Sequence, residues 1–137
     1  MSAIETPANT SSPKPSQTYT GGCHCGRFKY EVTCSPPLAD SEVFECNCSI
    51  CSRNGYILTY VDDSAINFEK GSIDEYSEHL SANKKYGHYF CPSCGSSCFA
   101  GSHDEGPWAT MKAVNVRMLQ DVDLKGLKIK EIDGKSR

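Results

Sequence analysis

Seven of the nine cysteines fall into three tight clusters, Cys23-His24-Cys25-Gly26, Cys46-Asn47-Cys48-Ser49-Ile50-Cys51 and Cys91-Pro92-Ser93-Cys94-Gly95. Thiols so closely spaced can bridge, cycle as redox pairs or hold metal. Zinc takes four protein ligands in a structural site, and three plus an exchangeable ligand in a catalytic one. Seven sulfurs divide naturally into four and three. Cys46, Cys48 and Cys51 lie within one short loop and can grip one ion as a tripod. The Cys23/Cys25 and Cys91/Cys94 pairs each end at a glycine, Gly26 or Gly95, able to take the positive φ of a tight metal-binding turn, and together would close a four-thiolate centre.

Other readings compete with this one. All seven could form two inert structural sites, with Cys34, Cys98 or a histidine completing the second. Cys91-Pro-Ser-Cys94 could be a redox pair, but that motif belongs in a βαβ context which the chain lacks. A tetrahedron of sulfurs would also suit iron.

Composition favours metal over disulfides. A chain of 137 residues is the size of one domain and buries only about two-thirds of its unfolded surface. With 38% hydrophobic residues and a mean hydropathy of -0.48, its core is modest. A structural zinc can add on the order of 10 kcal/mol of folding free energy. Met1 to Thr20 shows neither the basic nor the apolar region of a secretory signal, so an intracellular, cytoplasmic location with reduced thiols is expected. The sequons at Asn9 and Asn47 are then chance matches. No run is long enough to span a membrane. The net charge of -3 and the pI near 5.8 exclude the basic field that nucleic acid would need. The C-terminal stretch mixes lysines with Asp and Glu and reads as a solvated face.

Residues 1–17, rich in Ser, Thr and Pro, read as a disordered tail, and residues 18–137 as one folded domain. Short apolar or alternating runs between turn residues predict a mainly β fold. Strands are expected at Phe28–Val32, Val43–Cys46, Tyr56–Val61, Ile66–Glu69, Tyr86–Phe90, Cys98–Gly101, Ala109–Val114 and Leu127–Ile132. Short helical turns are expected at Ser49–Asn54 and Val116–Asp121. Of the leftover cysteines, Cys98 reads as core and Cys34 as part of a turn. His24 should point away from a metal held by its neighbours, His79 and His88 read as surface or strand positions, and His103 as an exposed loop. Trp108 and Tyr56 could flank a ligand, though aromatics in a domain this size usually fill the core.

The motifs Gly-Cys23-His-Cys25-Gly, Cys46-Asn-Cys48-Ser-Ile-Cys51 and Phe90-Cys91-Pro-Ser-Cys94-Gly resemble those of the glutathione-dependent formaldehyde-activating enzyme family, which includes centromere protein V. The resemblance covers roughly Thr20 to Val116. It implies a β-tent of antiparallel sheets stapled by zinc, a structural zinc at Cys23, Cys25, Cys91 and Cys94, and a catalytic zinc at Cys46, Cys48 and Cys51. It further implies a carbon-sulfur lyase, the named activity being formation of S-hydroxymethylglutathione from glutathione and formaldehyde. A small-molecule thiol or thiol adduct would be the partner. Because glutathione is anionic, a cationic contact is expected near the loop, with Arg53 first and Lys84 or Lys85 second. The alternative function is a non-catalytic zinc module that binds a protein. Both functions require two metal ions per chain, a stoichiometry that elemental analysis of purified protein measures; a single ion would contradict it.

Overall fold

Short runs, some with period-two alternation of buried and exposed side chains, build ten strands among the described residues, 15–81, 84–104 and 106–136, of this computed structural model. The tail expected before the domain falls largely on residues 1–14, outside those described. The first strand, β1 (Gln17–Gly22), pairs with β2 (Lys29–Cys34) from Gln17↔Cys34 to Gly22↔Lys29, and β2 pairs with β5 (Ile66–Lys70). All pairs in this three-stranded sheet are antiparallel. Along β2, Tyr30, Val32 and Cys34 point inward while Lys29 and Glu31 face solvent.

The larger sheet has seven strands: β3 (Glu42–Cys46), β4 (Leu58–Asp62), β6 (Ser77–Leu80), β7 (Tyr86–Phe90), β8 (Ser97–Ser102), β9 (Met111–Asn115) and β10 (Lys128–Ile132). Their spatial order is β10-β3-β4-β9-β8-β7-β6. Pairing is antiparallel throughout except at the β10 edge, which runs parallel to β3 from Lys128↔Glu42 to Ile132↔Cys46. One α-helix, α1 (Ser49–Asn54), follows β3 and ends at Gly55, whose φ of 67° gives a left-handed cap.

The main core lies between the two sheets. Phe28, Tyr30, Val32, Leu38, Val43 and Val114 are at most 1% exposed. Phe28 stacks on Tyr76 with ring centroids 3.9 Å apart, and Tyr76, Phe68 and Phe99 meet edge to face. Burial, with the adjacent Cys98 thiol second, pushes the Tyr30 and Tyr76 phenols far up, so both hydroxyls stay neutral in this core. Neighbouring residues on the large sheet face opposite ways: Val114 joins the main core, while Ala113 joins a smaller cluster with Cys51, Tyr56 and Leu58. The three-cysteine loop is thus built on the far face of the large sheet.

The expected mainly β architecture of antiparallel sheets is the one found. The eight expected strands and the turn at Ser49–Asn54 are all present, within a few residues at their ends. Two strands were not expected. β1 is Gln-Thr-Tyr-Thr-Gly-Gly and β6 is Ser-Glu-His-Leu, and neither carries the apolar alternation that marks a strand. The expected turn from Val116 is a 3-10 helix that stops at Met118. Cys34 ends β2, buried, and Cys98 is fully buried in the main core.

Replacing Phe28 by Ala removes a fully buried ring and its stack on Tyr76. The expected cost is about 3–5 kcal/mol, read as the shift in urea unfolding of the metal-loaded protein.

Candidate metal centres

Cys23 and Cys25 occupy the turn between β1 and β2, and Cys91 and Cys94 the turn between β7 and β8. Each turn folds around its first cysteine. The Phe28 and Ser93 amides donate to Cys23 Sγ and Cys91 Sγ at 3.3 and 3.4 Å. The Gly26 and Gly95 amides donate back to the carbonyls of Cys23 and Cys91 at 3.3 and 2.8 Å. Both glycines have a φ of 82°, where a side chain would be strained, which is the role expected of them. The turns are then joined to each other: the His24 amide donates to Ser96 Oγ at 3.0 Å, and Arg27 Nη1 to Ser93 Oγ at 3.2 Å.

This places four sulfurs within 4.8 Å of one another. Cys25 Sγ lies 3.6 Å from Cys23 Sγ and 3.7 Å from Cys91 Sγ. A zinc-sulfur bond of about 2.3 Å implies a tetrahedral edge of about 3.8 Å, so the spacing fits zinc. Electrostatics agree. The hydrogen bond with Ser96 draws Cys94 down to about 5. At Cys25 the Arg27 amide pulls the other way, but burial and the neighbouring sulfurs push it up to about 11. Crowded thiols that cannot all ionise together are stabilised as thiolates by a divalent cation.

The second group is Cys46, Cys48 and Cys51, again within 4.8 Å of one another. Cys46 ends β3, Cys48 caps α1 and Cys51 sits one turn into that helix. Burial, then the Cys48 sulfur, pushes the Cys51 thiol up. Cys48 moves the opposite way: although burial opposes it, the Cys51 amide and the flanking sulfurs draw it down. Among the described residues no fourth Cys, His, Asp or Glu joins this group, and neither Cys34 nor Cys98 belongs to either cluster.

The three sulfurs border a cleft of about 600 Å³ on the outer face of the large sheet; none of the four sulfurs of the other cluster lines it. Its walls are amphipathic. Phe44, Tyr60 and Trp108 form an aromatic side with centroids 5.3 and 5.7 Å apart, and Trp108 is 53% exposed at the rim. His88, expected at a strand or surface position, is a buried strand residue that lines the cleft and stacks on Tyr56 at 5.4 Å. Burial, then the charge of His79, lowers its pKa below the ordinary imidazole value, so it stands as a neutral base. Tyr56 is itself buried, its hydroxyl 2.8 Å from Ser97 Oγ.

Arg53 lies elsewhere. Its guanidinium donates to the Ser49 carbonyl at 2.9 Å on the exposed side of α1, and it is not a cleft residue. The cations that line the cleft are Lys85, Lys112 and Lys135. Lys112 is held by Asp63 at 2.7 Å. Lys85 was the weaker of the sequence-based candidates. Lys112, Lys135, His88 and Tyr60 carried no motif that could have marked them, because strands distant along the chain bring them together. His103 pairs with Glu78 at the β6 side, and His24 is exposed between the two ligands it separates.

A seven-stranded and a three-stranded sheet carrying one four-sulfur and one three-sulfur cluster define a mainly β protein with two cysteine sites suited to zinc. Residues 18–127 match the family described as glutathione-dependent formaldehyde-activating enzyme, and the chain belongs to that family. The fold also resembles that of a Rhodobacter sphaeroides protein solved by crystallography in a structural-genomics programme. The two share 23% sequence identity and a TM-score of 0.63, over 81% of this chain and 99% of that one.

The two clusters should separate on mutation. Cys91→Ser is expected to remove one metal and much of the ~10 kcal/mol that a structural zinc contributes. Cys48→Ser should remove the other metal at a cost of about 1–3 kcal/mol. Metal content and urea unfolding of both variants measure the difference, and equal costs would contradict it.

Proposed function

We propose that the chain is a zinc-dependent carbon-sulfur lyase acting on a thiol adduct such as S-hydroxymethylglutathione, with Cys46, Cys48 and Cys51 holding the reactive metal and Cys23, Cys25, Cys91 and Cys94 a structural one. The observation that carries this reading is the position of the three-sulfur group. It supplies three of the four corners zinc requires, and it borders a cleft of about 600 Å³, large enough for a small ligand. The family's name supports the thiol and the aldehyde as the chemical class.

A zinc at this position supplies a Lewis acid that lowers the pKa of a thiol and stabilises a departing thiolate. The chain supplies the rest. Cys46, Cys48 and Cys51 fix the direction from which a ligand arrives, because two of them are anchored by α1 and the third by the end of β3. Phe44, Tyr60 and Trp108 offer apolar surface to the ligand's carbon skeleton and keep water from that side. In the addition direction, the thiol sulfur forms a bond to the carbonyl carbon, the carbonyl π pair moves to oxygen, and that oxygen gains the proton the thiol loses. His88 lines the cleft as a neutral imidazole able to carry that proton. Lysis is the reverse, with the carbon-sulfur pair returning to sulfur.

Cobalt substitution tests the reading without presuming a substrate. Addition of 2-mercaptoethanol to Co(II)-loaded protein should produce a new sulfur-to-cobalt absorption band, and Cys48→Ser should abolish it. A spectrum indifferent to every thiol would refute the proposal.

A further inference from the structure

The family match ends at Leu127, yet the chain continues into the cleft. Lys128–Ile132 forms β10, added in parallel to β3, the strand that delivers Cys46. Beyond it, Gly134 packs so tightly against Cys46 that a Cβ at that position would overlap the sulfur. Gly134 and Lys135 both line the cleft beside the three cysteines.

Asn47, between Cys46 and Cys48, fastens this segment at three points. Its amide N–H donates to the Ile132 carbonyl at 3.1 Å, its Nδ2 donates to Asp133 Oδ1 at 3.0 Å, and its Oδ1 accepts from the Lys135 amide at 2.9 Å. Ser136 Oγ closes the turn by donating to Asp133 Oδ2 at 2.7 Å. The strand pairing itself is less secure: Glu131 stands opposite Glu45, like charges side by side. The fastening therefore depends on Asn47, a residue inside the metal loop.

From this geometry we infer that the C-terminal segment 128–136 is the substrate-selecting wall of the cleft, with Lys135 favouring thiols that carry a carboxylate and Asn47 positioning it. The inference rests on the thiol reading above and assigns the charge of the thiol that the site prefers. Among the described residues Lys135 makes no ion pair, whereas Lys112 on the cleft wall is engaged by Asp63. Gly134 against Cys46 fixes where the following residue can stand. A carboxylate-bearing thiol whose sulfur reaches the three-cysteine group would have its anionic end within the same cleft as this lysine, and the partly enclosed site strengthens the attraction over that in open water.

The test uses the full chain loaded with Co(II), titrated separately with glutathione and with uncharged 2-mercaptoethanol while the sulfur-to-cobalt band is followed. Lys135→Glu should weaken glutathione about tenfold, through lost attraction plus new repulsion, and leave 2-mercaptoethanol within about twofold, which also shows that the variant is folded and loaded. Lys135→Arg should restore glutathione binding. Asn47→Ala should reduce the preference for glutathione and speed amide exchange across β10. Equal weakening of both thiols, or of neither, by Lys135→Glu would overturn the selector role while leaving the thiol reading intact. Unchanged exchange in Asn47→Ala would overturn the fastening. Failure of every thiol to bind the wild type would remove the reading on which both rest.

Discussion

Four sulfurs from two turns converge to within 4.8 Å of one another, a spacing suited to one ion. Cys25 and Cys91 are 66 positions apart in sequence, yet their sulfurs lie 3.7 Å apart. One of the two turns belongs to the small sheet and the other to the large one, so an ion held there fastens the two layers across the core. Closing a loop of that length costs entropy once, and the cost grows only slowly with length. A metal ion held there would offset it with bonds far stronger than the contacts of a small aromatic core. The hydrogen bonds from His24 to Ser96 and from Arg27 to Ser93 show that the turns are matched to each other and not merely adjacent.

With one cluster joining turns of the two sheets, the other stands on a separate face. The period-two geometry of β9 and β4 sends alternate residues to opposite faces of the large sheet, so the face away from the main core can carry a second, smaller cluster around Cys51. There the sulfurs sit at a surface instead of between layers. The difference between three and four ligands then matters, because a closed tetrahedron between two turns has no direction of approach, whereas three sulfurs bordering a cleft have one.

Much of this was legible along the chain. Cysteine spacing located the three clusters, since thiols within a few residues of each other on a tight turn can face a common point. Runs such as Tyr86–Phe90 and Val43–Cys46 announced their strands through buried alternation or continuous apolar character. β1 and β6 did not, because in edge strands rich in Thr, Gly, Ser and Glu few side chains are apolar, Tyr19 being the one that β1 sends into the core, and backbone pairing with the neighbouring strand carries the rest. Arg53 shows the opposite limit. Nearness in sequence to Cys51 suggested a ligand contact, but a residue two positions along a helix points elsewhere, and its guanidinium is turned back to the Ser49 carbonyl.

The sequence alone marked the three cysteine clusters, offered their division into four and three sulfurs, and indicated the mainly β class, because these follow from short-range spacing and alternation. Only the tertiary structure decided which surface the three-sulfur group faces, and that Tyr60, His88, Lys112 and Lys135, drawn from four separate stretches, meet there. Such a meeting depends on strand order and on the parallel addition of β10, which are set by long-range pairing. No pattern within a single stretch of chain encodes who its neighbour across a sheet will be.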